Sequence, residues 1–177
     1  MRPAQASDAA SIAAISIEVW LGTYLRNGVN AVFADYALQT FSRAKTEALI
    51  ADGHEFIIVS EDKDGIVGFV RLSTRRAAPG DADIDVEIST LYVQPRHHGK
   101  GIGRRLLHAA FEQCRAIGAE AVWLATNAEN TPAIEFYLAQ GFEHIGETQF
   151  RIGDQAFPNN VYAYRLNRTT FSRKTPL

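Results

Sequence analysis

The stretch Leu91-Tyr-Val-Gln-Pro-Arg-His-His-Gly-Lys-Gly-Ile-Gly-Arg-Arg-Leu-Leu107 constrains this chain more than any other. An apolar run from Ile84 to Val93 reads as a strand that stops at Pro95. Gly99, Gly101 and Gly103 follow at alternate positions. Leu106, Leu107, Ala110 and Cys114 then share one helical face, which predicts a helix from Gly101 to Ile117. A glycine-rich turn between strand and helix can aim several free backbone N–H groups at one anion, at the positive end of the helix dipole. No Cβ holds a phosphate away. The segment reads as a pyrophosphate cradle; the plainer alternative is a strand–helix turn that happens to be rich in glycine. The Walker pattern is excluded, because Gly99-Lys100-Gly101 has neither its spacing nor its hydroxyl. The dinucleotide fingerprint needs GxGxxG after an early strand and an acid about 20 residues on. Here the loop reads GxGxG, past mid-chain, and two arginines follow.

A second segment narrows the reading. After a predicted strand, Ala121-Val-Trp-Leu-Ala125, comes Asn127-Ala-Glu-Asn-Thr-Pro-Ala-Ile-Glu-Phe-Tyr-Leu-Ala-Gln-Gly-Phe142. Asn130 or Thr131 can cap a helix with Pro132 in its first turn and Gly141 just past its end. His98-Gly99-Lys100-Gly101-Ile102-Gly103 and the set Asn130, Ala133, Phe136, Tyr137, Gly141, Phe142 together resemble the GNAT superfamily of acetyl-CoA-dependent N-acetyltransferases. Both motifs occur in that family's order, each after a strand. The resemblance covers about Glu55 to Leu166. His98 departs from it, standing where the family usually carries Gln or Arg. His98 is expected to add a donor to the loop, with Arg96 supplying charge, or else to be a solvated loop residue.

The resemblance implies a mixed α/β (α+β) fold: a mostly antiparallel, twisted sheet of roughly six or seven strands flanked by about four helices. It implies acetyl-CoA as cosubstrate, with coenzyme A as product. Leu91, Tyr92 and Val93 would bond the pantetheine arm through their backbone. His98, Gly99, Lys100, Gly101, Ile102, Gly103 and Arg104 would hold the pyrophosphate. Asn130 would touch the pantetheine arm or a water beside it. Tyr137 would aim its hydroxyl at the sulfur as general acid, since an unperturbed tyrosine, with a pKa of about 10, has a proton to give at neutral pH. Phe136 reads as core.

The base is sought on the strand before the loop. Alternation from Ile84 would set Asp81, Asp83, Asp85, Glu87 and Ser89 on one side, as a row of carboxylates. Glu87, nearest the reacting centre, is the candidate base and acceptor-binding residue; the alternative is a solvated strand face. Several amine-acetylating relatives carry a glutamate at the position of Ser89. Trp20 and Tyr24, four apart on a helix and followed by Arg26, read as a substrate wall or as a core-facing pair. Phe150, Tyr162 and Tyr164 are expected opposite them. The acceptor is expected to be a primary amine of a small molecule, such as a polyamine or amino acid. A peptide N-terminus or a protein lysine is an alternative, as is a non-catalytic acyl-CoA-binding module.

The 177 residues suffice for one sizeable core, so one domain is expected over residues 1–168, with a frayed tail over 169–177. The net charge of −2 implies no general attraction to nucleic acid or anionic membrane. No apolar run approaches the roughly 18–20 residues of a membrane span, and no signal-peptide pattern opens the chain. One cysteine, Cys114, fits a reducing, cytoplasmic setting and reads as core rather than nucleophile. No metal site is expected. Homodimers are common in the family, though no residue here specifies one. The remaining elements read as helices over Ala6–Leu25, capped by Asp8, and Arg43–Ala51. Strands follow over Glu55–Ser60 and Ile66–Thr74, joined at Asp64-Gly65, then over Phe142–Ile152 and Val161–Leu166. Only Met1 to Ala4 is available for a strand before the first helix.

Overall fold

A computed structural model describes residues 1–25 and 28–166. The short strand β1 (Arg2–Pro3) precedes three helices, α1 (Ala9–Tyr24), α2 (Ala31–Thr40) and α3 (Arg43–Ala51). Then come β2 (Glu55–Asp62), β3 (Gly65–Ser73), β4 (Glu87–Val93), α4 (Ile102–Ala116), β5 (Ala121–Asn127), α5 (Thr131–Ala139), β6 (Glu143–Ile152) and β7 (Gln155–Arg165). The strands form one sheet in the order β1-β2-β3-β4-β5-β7-β6. Every pairing is antiparallel except β4 with β5.

Strand alternation divides the core between the two faces. On one face, Val70, Leu72 and Ile88 pack against Leu106, Leu107 and Ala110 of α4, with Tyr137 and Phe142 from α5 and its end. On the other, Ile57, Val59 and Phe69 meet Ile12 and Ile15 of α1, with Leu49 and Ile50 of α3. Trp20, Phe33, Ala37 and Ile152 form a separate cluster where α1 and α2 meet the β6–β7 hairpin. Cys114 lies in the α4 core, where burial pushes its thiol up to about 12, as expected of a packing residue.

Several boundaries differ from the sequence expectations. Asp8 does not cap α1 with its side chain. Its carboxylate takes Arg2 at 2.7 Å and the backbone N–H of Gln5 at 2.7 Å instead. A full positive charge outcompetes an amide dipole for that anion, and Arg2 also reaches Glu61 at 2.9 Å, stapling β1 to β2. Helix α2 is an addition. Its cap is Asn30, whose side chain accepts from the N–H of Phe33. It buries only Phe33 and Ala37, while Val32 and Leu38 stay exposed, so its apolar periodicity is weak. Strand β7 starts six residues earlier than expected, and Pro158 lies inside it. Residues 155–158 pair with β6 alone, and Pro158 contributes its carbonyl to the N–H of Ala128, so no donor is missed.

The run Ile84–Val93 is a strand only from Glu87 onward. Asp81 makes an isolated bridge with Ala78, Ala82 and Asp83 turn, and residues 84–86 lie outside any strand, with the carbonyls of Ile84 and Asp85 accepting from the N–H groups of Ala78 and Arg76. The expected strand-borne row of carboxylates is therefore reduced to Glu87, although burial still alternates before it, as for a solvated face. Asp81 lies 3.8 Å from Arg165, and Asp83 and Asp85 face solvent. Ile84 and Val86 are buried, and that burial drives the apolar pattern without requiring a strand.

Leu106 is fully buried between α4 and the sheet. Leu106→Ala is expected to lower unfolding stability by about 2–5 kcal/mol, measured by denaturant titration.

Candidate active site

Strand β4 is bonded to β3 along its length but meets β5 at a single register pair, Glu87 with Trp123. The N–H of Trp123 also donates to the carbonyl of Val86 at 3.0 Å. Beyond that point no residue of β4 is paired with β5, and a cleft of about 1120 Å³ opens there. The register gives a local cause. Arg71 pairs with Thr90 and Leu72 with Ile88, which leaves Ser89 as the extra residue of a β-bulge. Past the bulge, Leu91 and Val93 contact the α4 core while Tyr92 packs on Phe69 of the α1 face.

The edge of β4 is thereby left with backbone polar groups beside an open slot. Leu91, Tyr92 and Val93 line one wall; Ala125, Thr126 and Asn127 line the other. Gly68 of β3 permits the tight packing behind this edge, because a Cβ there would stand 2.6 Å from the carbonyl oxygen of Tyr92.

The glycine-rich loop sits at one end of the slot. Gly99 and Gly101 have φ of 74° and 72°, and Gly101 is the N-cap of α4. Gly101 has no side-chain cap bond, so the first N–H groups of α4 are not consumed by a side chain there. Gly103 approaches the ring of Phe136, whose nearest atom a Cβ would meet at 3.6 Å. These features fit a pyrophosphate: a concave backbone, a helix N-terminus, and no Cβ filling the space.

His98 and Arg96 are engaged differently from expectation. The ring Nε2 of His98 lies 2.9 Å from the carbonyl of Val93, to which it donates when protonated there. His98 thus ties the loop to the end of β4. Arg96 pairs with Glu18 of α1 at 3.1 Å, which draws it away from the loop. Lys100 and Arg104 remain exposed at the loop.

Asn130 caps α5, its Oδ1 accepting from the N–H of Ala133, and it borders the cleft. Tyr137 also lines the cleft and is 8% exposed, packed edge-on against Phe136 and Phe142. Burial pushes its hydroxyl well above the ordinary tyrosine value, so it keeps its proton at neutral pH. Phe136, expected in the core, is only half-buried and borders the cleft as well.

The opposite end of the cleft is aromatic. Trp20 is buried and stacks on Tyr36 at 5.0 Å, with Tyr24 at 5.1 Å and Phe41 at 5.9 Å. Tyr24 reaches Phe150 on β6 at 5.4 Å. Trp20 and Tyr24 thus serve both as core and as cleft lining. Arg26 lies outside the described residues. Tyr162 and Tyr164 do not face this cleft. Tyr162 is buried beside His144, and Tyr164 stacks on Phe111 at 4.4 Å. They sit where β7 runs between β5 and β6, on the core-facing side of the sheet.

Between the aromatic end and the β4 edge stand polar groups. Glu87, Ser89, Thr90, Arg71 and Asn159 border the cleft. Burial raises the carboxyl of Glu87, opposed by the Ser89 hydroxyl and the charges of Arg71 and Arg76. The Oδ1 of Asn159 and the Nε of Arg71 are buried without hydrogen-bond partners. Arg71, Asn159, Tyr36 and Phe41 were not singled out from the sequence. The cap residue Asn30 was the available signal for the helix that carries Tyr36 and ends at Phe41; Arg71 and Asn159 depend on sheet register.

The model of the acetyltransferase (GNAT) family matches residues 20–142. An uncharacterized N-acetyltransferase of Mycobacterium tuberculosis (strain ATCC 25618 / H37Rv) is 33% identical over 120 residues, which are 68% of this chain and 73% of the relative. Streptothricin acetyltransferase of Streptomyces lavendulae is 35% identical over 96 residues, 54% of this chain and 48% of that protein. In structure, the PaiA N-acetyltransferase of Thermoplasma acidophilum, solved with coenzyme A, superposes with a TM-score of 0.74 at 18% identity. That match covers 93% of this chain and 96% of the other, and shows a common fold.

The raised carboxyl of Glu87 carries a stability consequence. The folded state holds this proton to higher pH than the unfolded chain, whose value is the ordinary 4.5. Folded protein therefore binds more protons in the window above 4.5, and stability falls as pH rises through it. Glu87→Gln, which cannot ionise, is expected to gain melting temperature relative to the parent at about pH 8 compared with about pH 4. Thermal melts at the two values check the sign.

Proposed function

The chain belongs to the acetyltransferase (GNAT) family and is an acetyl-CoA-dependent acyltransferase, and on that premise we propose that its acceptor is a primary amine of a small molecule. The carrying observation is the cleft itself. An aromatic end built from Trp20, Tyr24, Tyr36, Phe41 and Phe150 faces a polar centre with Glu87 and Asn159. Aromatic faces and carboxylates both favour a cationic amine. Asn159 offers an acceptor with no hydrogen-bond partner. A polyamine, an amino acid or a related compound meets these demands. Helices α1 and α2 on one side and Thr148 to Phe150 of β6 on the other enclose this end, which suits a compact acceptor better than an extended peptide. The relative named for streptothricin supports a small-molecule acceptor.

The loop from His98 to Arg104 and the N-terminus of α4 hold the pyrophosphate in this reading, with the β4 edge at Leu91 to Val93 and Asn130 along the pantetheine arm. His98 acts by holding the Val93 carbonyl, and so shapes the edge, rather than by reaching the phosphate. Acetyl-CoA supplies an activated acyl group. Glu87 takes the proton that the attacking amine must lose, and burial, by raising its carboxyl, makes it a stronger base than an ordinary glutamate. Tyr137 keeps its proton until the leaving thiolate needs it. Attack is direct: Cys114 is buried with its thiol pushed up to about 12, unsuited to an acyl-enzyme.

Thiol release from acetyl-CoA across polyamines, amino acids, aminoglycosides, arylamines and short peptides tests the acceptor class. Release with one group of small amines is expected; release with peptides alone would overturn the proposal. Tyr137→Phe is expected to lower kcat by roughly 10²-fold with acetyl-CoA binding retained, read from steady-state rates and calorimetry. An unchanged kcat removes Tyr137 from the acid role.

A further inference from the structure

Three strands place two carboxyls and two hydroxyls in one line. Register pairs Glu55 with Ser73 and Ser73 with Glu87, and the bulge brings Ser89 beside them. The Oγ of Ser73 lies 2.7 Å from Oε2 of Glu55 and 2.5 Å from the Oγ of Ser89. The Oγ of Ser89 lies 3.1 Å from Oε2 of Glu87. Ser73 is 2% exposed, and the Glu55 side chain is 8% exposed. Of the four, Glu87 and Ser89 border the cleft, while Glu55 and Ser73 lie behind them.

Counting protons decides what this line is. It contains three O···O contacts, and each needs one hydrogen. The two serine hydroxyls supply two. With both carboxylates ionised, the Ser73–Ser89 contact would bring two oxygens together with no hydrogen between them. One further proton, on Glu87 or on Glu55, completes all three bonds. If Glu87 holds it, Glu87 donates to Ser89, Ser89 to Ser73, and Ser73 to the Glu55 carboxylate. If Glu55 holds it, every bond reverses and Glu87 is the anion. Both orders satisfy every group.

We propose that Glu55 and Glu87 share one proton through Ser73 and Ser89, so that Glu55 is a positioning residue that stores the proton while Glu87 is free to take one from the acceptor amine. The transfer is a concerted hop. The Glu87 proton passes to Ser89, the Ser89 proton to Ser73, and the Ser73 proton to Glu55, with no net gain or loss. A cationic amine entering beside Glu87 favours the order that leaves Glu87 ionised. After accepting the amine's proton, the line holds two; the extra one passes to solvent through the cleft, and solvent returns a proton to Tyr137 once the leaving thiolate has taken its own. The charged groups around the line are Arg71, whose Nε is 3.5 Å from Glu55, and Arg76, which acts on Glu87. Both cations favour an ionised carboxylate, and Arg71 acts on Glu55 and Glu87 alike.

The inference rests on Glu87 as base, and the test separates the two. Infrared spectra of the whole 177-residue chain at neutral pH, parent minus variant, are expected to show one protonated carboxyl stretch that Glu55→Gln and Glu87→Gln each abolish. Gln at position 55 imitates the protonated acid and holds Glu87 ionised. The acid limb of kcat/KM in Glu55→Gln is therefore expected to move down by about one pH unit or more, with melting temperature near that of the parent. If Glu55→Gln does not fold, Ser73→Ala cuts the line and is expected to remove the same stretch and move the same limb. No protonated carboxyl in the parent, or a limb that stays in place while only stability falls, overturns the shared proton. A Glu87→Gln enzyme with the parent's kcat and pH profile removes instead the base role, whatever the infrared spectra show.

Discussion

The bond between β4 and β5 breaks off almost as soon as it forms, and the rest of the molecule is arranged around that fact. Parallel strands normally zip along their whole length, because each unpaired backbone group in a protein interior is costly. Here Glu87 pairs with Trp123 and the ladder stops. The bulge at Ser89 turns β4 while its other edge stays bonded to β3. What would be a defect in a closed sheet becomes an opening with ready-made donors and acceptors along one wall. A chain-like ligand with amide groups can complete the ladder that β5 does not.

Placement of the remaining groups follows from this opening. Helix α4 begins at the far end of β4, so its N-terminus and Gly99–Gly103 fall at the mouth of the slot. Helix α5 follows β5, so Asn130 and Tyr137 stand on the opposite wall. The same bulge that opens the slot sets Ser89 between Ser73 and Glu87. One irregularity of a single residue therefore shapes both the slot beside β4 and the polar line behind Glu87.

Local readings succeeded where one segment carries its own signal. Helix α3 runs over Arg43–Ala51 as expected, and the β2–β3 turn falls where Asp64-Gly65 signalled it. Helix α5 starts after Asn130 and ends before Gly141, whose φ of 91° suits a helix stop. Readings failed where a pattern had two physical sources. Ile84 and Val86 are buried outside any strand, so the regular strand, and with it the carboxylate expected at the cleft, begins only at Glu87. Asp8 had a nearby arginine that no helix rule anticipates. Tyr162 and Tyr164 alternate correctly along β7, but which side faces the cleft depends on the strand's neighbours.

The linear order of residues by itself determined the two motifs, the glycine positions, the family they resemble and most helix and strand cores. Those depend on contacts within about ten residues, where spacing along the chain is spacing in the fold. Only the tertiary structure decided that Glu87 stands alone at the cleft, that Glu55 and Ser73 stand behind it, and that His98 serves the β4 carbonyl. Each of these depends on register between strands, where a shift of one residue exchanges the two faces of a sheet.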